Sequence, residues 1–282
     1  EGHLIGVTDK RGGKWTYEKF KGKVGDSDIA GSLVYEAKQP RPLLSGTVVS
    51  NLLQLSDLGP VIGADSNESK KERGVAANQP ANKVLPVEKF TTERWGSIDA
   101  DVKITGHKIV HSASLPIENL DTHLKLEDSV VTLSPLKFGV AGGNLIGDIK
   151  LDGRNNVIKA QAKISARHLK LKQLFPTFQP MQASFGEVNG DTSLSGTGNS
   201  IASLLATSNG EIKSLINEGT ISKLLLEQIG LNIGNIVISK LFGDKQVQLN
   251  CMATDLSVTN GLVQTRTFIV DTSDAVMYVC LL

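Results

Sequence analysis

The sequence predicts a mainly β protein: an elongated, curved antiparallel sheet, laid out as a meander or groove, with a few helices near the C-terminus. Three observations carry this reading. Apolar and polar residues alternate with a period of two over many short segments. Those segments follow one another through short polar turns. The 28 glycines among 282 residues recur beside them, as tight turns between strands require.

In Ile98-Asp99-Ala100-Asp101-Val102-Lys103-Ile104 every apolar side chain falls on one face. The same holds for Leu145-Ile146-Gly147-Asp148-Ile149-Lys150-Leu151, apart from Ile146, and for Ile158-Lys159-Ala160-Gln161-Ala162-Lys163-Ile164. Successive side chains of a strand point to opposite faces, so each segment has one dry and one wet face. Glu127-Asp128-Ser129 separates the strand expected at Leu120–Leu126 from that at Val130–Phe138. Ala141-Gly142-Gly143 leads into Asn144–Leu151, and Asp152-Gly153-Arg154-Asn155-Asn156 into Val157–Ala166. Turns this short leave no room for crossover helices, so neighbouring strands are antiparallel.

A weak internal repeat relates Asp28–Tyr35 to Asn144–Leu151. Both follow a Gly-containing turn and place a glycine, Gly31 or Gly147, at the same point in the strand. A mid-strand glycine marks a bend or a close backbone approach. Four regions are expected: β hairpins of the groove over 1–62, a flexible loop over 63–83, a β-meander groove over 84–198, and a helix-containing part with a final hairpin over 199–282. The loop rests on Ser66-Asn67-Glu68-Ser69-Lys70-Lys71-Glu72-Arg73, charged and without apolar residues. A short helix is expected over Ser200–Thr207, after a strand end capped by Asn199. A longer one starts near Ser222, from the helical spacing of Ile221, Leu224, Leu225, Ile229, Ile233, Ile236 and Val237. The closing hairpin joins Gln248–Val258 to Leu262–Asp271 through the Asn260-Gly261 turn signal.

Composition excludes several functions. The formal net charge is +1, lysines alternate with acids, and aromatics make up 5% of residues; a nucleic-acid surface needs a basic stripe. Cys251 and Cys280 do not make a disulfide framework, and Cys251 reads as a small apolar strand residue. The apolar stretch Ile221–Phe242 carries Lys223, Glu227, Gln228, Asn232, Asn235 and Lys240, too many polar groups for a membrane span. Residues 1–10 show no signal peptide and open as if already inside a strand, so the chain reads as part of a longer protein. His107 and His111 have a metal-compatible spacing only on a helix, and their surroundings read as strand. Ser195-Gly196-Thr197-Gly198-Asn199-Ser200 lacks the lysine of a phosphate loop. Asp99 and Asp101 beside Lys103 read as a solvated surface. No metal, no cofactor and no catalytic activity are expected.

What remains is a long dry face. Ile98, Val102, Ile104, Leu124, Leu126, Leu145, Ile149, Leu151, Ala160 and Ile164 are the candidate lining residues. Parity sends Asp101, Lys125 and Lys150 to solvent. Periodicity reports a dry face and not its cover, so a closed sandwich core and an open lipid groove both remain.

Leu115–Leu120, Leu124-Lys125-Leu126, Leu133–Gly143 and Lys23–Leu33 resemble the AsmA-like family of bacterial envelope proteins. Gly210–Gly230 and Asp271-Thr272-Ser273 are similar to its C-terminal portion. The resemblance implies the periplasmic part of a protein attached to the inner membrane by an anchor missing from this chain. It also implies an apolar interior that binds or conducts phospholipid or other acyl lipid for outer-membrane homeostasis, possible outer-membrane components as partners, and no catalytic residues. The alternative is a module with a closed core that assists outer-membrane protein assembly. The tail Ala275–Leu282 departs from the polar, Gly-containing strand expected of the family, as truncation or an altered reading frame would produce.

Overall fold

A computed structural model describes residues 2–54, 85, 87, 89, 90, 92, 95–110, 117–174, 176, 184–222, 246–273 and 276–280. The expected loop at 63–83 and the longer helix beyond Ser222 lie outside them. Fourteen strands make one sheet: β1 (Gly2–Arg11), β2 (Lys14–Val24), β3 (Ser27–Glu36), β4 (Leu43–Gln54), β5 (Asp99–Val110), β6 (Ile117–Glu127), β7 (Val130–Val140), β8 (Gly143–Asp152), β9 (Ile158–Lys170), β10 (Phe185–Gly198), β11 (Asn209–Ser222), β12 (Gln246–Thr259), β13 (Leu262–Thr272) and β14 (Val276–Cys280). Spatial order follows sequence order throughout. Among the described residues β1 and β14 do not pair with each other, so the sheet is open.

The meander holds with one exception. β4 and β5 run parallel, with Leu44 opposite Ala100 and Val48 opposite Ile104. The expectation of a wholly antiparallel sheet is corrected there. Every other neighbouring pair is antiparallel, whereas β5 begins at the same end of the sheet as β4, with Asp99 opposite Leu43.

Two short helices are described. α1 (Leu171–Leu174) lies between β9 and β10, and α2 (Ile201–Ala206) between β10 and β11. Ser200 is the N-cap of α2, its hydroxyl accepting from the Ser203 backbone N–H at 3.1 Å. Asn199, expected to cap the strand end ahead of the helix, braces the β8–β9 turn. Its carbonyl accepts from Ile158 N–H at 3.1 Å, and its amide donates to the Asn156 carbonyl at 2.8 Å. Ile221 and Ser222, placed by spacing at the start of the longer helix, belong to strand β11.

The strands bend at bulges. Lys19, Asn119, His168 and Glu218 have φ of 49°, 55°, 58° and 41°, and each falls at a register shift within β2, β6, β9 or β11. A bulge inserts a residue, bends its strand and increases local twist. Repeated along the sheet, bulges curve it. The two repeat glycines mark close approaches: a Cβ on Gly31 would lie 2.0 Å from the Thr47 carbonyl oxygen, and one on Gly147 would lie 2.2 Å from that of Lys163.

Candidate functional site: an open aliphatic face with a helix-walled pocket

Residues directly opposite on neighbouring strands share a face, so the register traces rows across the sheet. One row runs Leu44, Ala100, Leu126, Val131, Leu151, Ala160 and Gly196. The next runs Gly46, Val102, Leu124, Leu133, Ile149, Ala162 and Leu194. A third carries Val48, Ile104, Thr122, Leu136, Gly147, Ile164 and Thr192. Leu145 pairs with Phe138 and Ala166 further along the same face. Nine of the ten candidate residues therefore stand on one side of β5 to β9, and Ile98 lies one residue before β5. Leu133 and Leu136 share this face although three apart, because β7 bulges between them.

Of the ten, only Val102 is buried; the other nine are half-buried. Large aliphatics in a closed sandwich core are usually buried outright. Among the described residues no second sheet covers this face: all fourteen strands belong to one sheet, and the main packing beyond sheet neighbours is that of α1 and α2 against β9 and β10. Denser packing gathers where α1 meets the second half of β11, the start of β12 and the end of β13: Leu171, Ile216, Ile221, Val247, Leu249 and Val270 make a buried cluster there. Thr122 interrupts the third row; it is buried, and its hydroxyl has no hydrogen-bond partner among the described residues.

The opposite face is polar. Lys125 and Lys150 are exposed and Asp101 is half-buried there. Asp101 sits 2.6 Å from His123 Nε2, and that bond holds its carboxyl below the usual range. Arg167 lies 2.8 Å from Asp191 and lowers its pKa likewise. Burial pushes Asp99 upward, but Arg41 at 2.8 Å and the Asp128 backbone N–H outweigh it and leave the group lowered. Cys251 is a free thiol. No cluster of three or more His, Cys, Asp or Glu able to hold a metal ion occurs among the described residues, and no described helix is long and apolar enough to cross a membrane.

The apolar face deepens where α2 folds back onto it. A pocket of about 180 Å³ opens there between the helix residues Ile201, Leu204 and Leu205 and the strand residues Ile149, Leu151, Ala160, Ala162 and Leu194. α2 rests on a floor of glycines. A Cβ on Gly196 would lie 2.3 Å from the Leu204 carbonyl oxygen, and one on Gly198 would lie 2.3 Å from Ser203 Oγ. Thr207 fixes the helix end: its hydroxyl accepts from Thr197 N–H at 2.8 Å and donates to the Thr197 carbonyl at 2.6 Å. Gly261 N–H donates to the Ser208 carbonyl at 2.8 Å. Period-two reading brought Ile149, Leu151 and Ala160 to this pocket and missed the helix residues. The missed signal was Gly196-Thr197-Gly198-Asn199-Ser200, two glycines on alternate strand positions followed by a helix cap.

A single open sheet with one aliphatic and one charged face, and a helix packed against the aliphatic side, defines a β-groove protein. The chain belongs to the AsmA family, whose profile matches residues 10–268. It is 44% identical over 287 residues to the AsmA family protein YhjG of Escherichia coli (strain K12), covering 99% of this chain and 42% of that protein. The chain thus spans about two fifths of the length of that relative. No solved structure matches it.

Proposed function

We propose that this chain is the lipid-holding part of a non-catalytic envelope protein. In this reading it lies in the periplasm, attached to the inner membrane in the full-length protein, and binds or conducts phospholipid acyl chains for outer-membrane homeostasis. The observation that carries the proposal is the half-buried state of Ile104, Leu124, Leu126, Ile149 and Leu151 on a face with no second layer among the described residues. Apolar surface of this extent is unfavourable in water at roughly 25 cal/mol per Å², and larger exposed patches mark binding surfaces. Acyl chains satisfy such a face without asking it for polar partners. Family membership supports the envelope setting.

The test is to purify the chain and identify co-purifying lipid by native mass spectrometry, then delipidate it and titrate a fluorescent acyl probe. Retained phospholipid and saturable uptake are expected. A lipid-free preparation that takes up no probe refutes the reading and favours a closed-core assembly module. Fractionation of the tagged full-length protein checks its placement, with inner-membrane association and periplasmic protease access expected.

A further inference from the structure

We propose that the pocket under α2 is an end-stop subsite that receives the methyl end of a single acyl chain, with α2 as its fixed wall. This rests on the lipid-holding reading above and goes further by assigning an orientation and a depth. The pocket is continuous with the aliphatic rows through Ile149 and Ala162, and it is walled on the other side by Leu204 and Leu205. Its floor residues Ala160 and Ala162 are small, which is what opens the volume of about 180 Å³.

The wall is not a lid. The Gly196 and Gly198 backbones lie in direct contact with α2. The Thr207 hydroxyl bonds both backbone groups of Thr197. The Ser200–Ser203 capping box closes the first turn. An occupant therefore cannot pass under the helix and must end against it. The lining selects that occupant by chemistry. It is almost wholly aliphatic, with polar atoms confined to Gln161, Ser195, Ser208 and the backbone. A carboxylate or phosphate buried there would lack a charged partner. The pocket's volume of about 180 Å³ is less than that of a single helical turn, which at about 10–12 Å across and about 5.4 Å long occupies roughly 400–600 Å³. A slim, unbranched apolar terminus meets all three conditions.

Photocrosslinking to the wild-type chain tests this. Two palmitic acid probes are used, one with a diazirine at the methyl end and one with it beside the carboxylate. The methyl-end probe should label peptides carrying 149–162 or 194–208, and the carboxylate-end probe should label other strands. Equal labelling of the pocket by both, or methyl-end labelling only elsewhere on the face, overturns the subsite while leaving the lipid-holding reading intact. No labelling by either probe overturns both. In a second measurement, Ala162→Phe should weaken hexadecanoyl-probe binding about tenfold, the loss of roughly two buried methylenes at about 0.8 kcal/mol each. It should leave a decanoyl probe nearly unchanged, and Lys163→Phe on the polar face should alter neither. Equal losses for both chain lengths in Ala162→Phe overturn the end-stop.

Discussion

Gly196→Ala puts the smallest possible side chain where α2 meets the sheet. Its Cβ would lie 2.3 Å from the Leu204 carbonyl oxygen and 3.3 Å from Thr207 Oγ1. Carbon and oxygen do not approach within 3 Å without repulsion, so helix and strand must part by roughly an ångström, and overpacking of this kind costs about 1–3 kcal/mol. A shift of that size also pulls the Thr207 hydroxyl away from Thr197, whose two bonds at 2.8 and 2.6 Å contribute about 1 kcal/mol each. The helix gives way before the strand does, because six residues make no stable helix alone whereas β10 pairs on both sides. The net expectation is a loss of about 2 kcal/mol in urea unfolding, with faster hydrogen exchange at Thr197 and across Leu204–Ser208. Gly106→Ala is the control. Its Cβ would meet nothing nearer than 3.5 Å, so it should be neutral or stabilise by up to about 1 kcal/mol through the unfolded chain. Unchanged stability and unchanged exchange in Gly196→Ala would refute the glycine-floor account of α2.

Three further outcomes follow from the same geometry. Ile149→Asp should destabilise by about 1–3 kcal/mol, less than in a sealed core because water reaches the open face, and should reduce acyl-probe uptake; Lys150→Asp should stay within about 0.5 kcal/mol. Equal melting and equal uptake in that pair would mean the dry face is misassigned. Thr122→Val removes a buried hydroxyl that has no partner and should stabilise by about 1 kcal/mol, read by urea midpoint; a loss would show the hydroxyl to be bonded. Asp28 accepts from Leu52 N–H at 2.6 Å, the main cause of its lowered pKa, with Asn51 and Ser50 adding to it against the opposing pull of burial. Its contribution is present above the unfolded carboxylate value near 4 and is lost as pH falls through the lowered folded value. Asp28→Ala should therefore cost about 1–2 kcal/mol at neutral pH and flatten the acid limb of the stability profile; an unaltered acid limb would rule this out.

Parity was legible because it is local. Ile149 and Lys150 are neighbours in a strand and must face opposite ways, whatever the rest of the chain does. Strand ends were less legible where bulges intervene. The segment read as Leu120–Leu126 is the strand Ile117–Glu127, since the left-handed Asn119 shifts the alternation before it. The segment read as Val157–Ala166 runs on to Lys170 past His168 for the same reason. The parallel join of β4 to β5 was illegible because nothing local records how a long connection returns. The pocket was half legible: its floor lies in the alternation of β8 and β9, but its wall depends on α2 folding back over Gly196 and Gly198, a tertiary contact whose only trace is two glycines ahead of Ser200.

Sequential strand order connects these facts to the proposed function. When each strand contacts chiefly its neighbours in sequence, stability accumulates pair by pair, much as in repeat proteins. The aliphatic face then need not be sealed by a second layer to hold the fold, and can be reserved for an occupant. Its dimensions suit a lipid. Strands β2 to β13 are 10 to 14 residues long, hence about 33–46 Å at the usual rise. One leaflet supplies about half of the roughly 30 Å hydrocarbon core of a bilayer, so an extended acyl chain is shorter than any of these strands. The charged face behind it, with Asp101 on His123 and Asp191 on Arg167, keeps the outside wetted. α2 covers part of the aliphatic face at β8 to β10, and the remaining rows stay free for a chain to lie along.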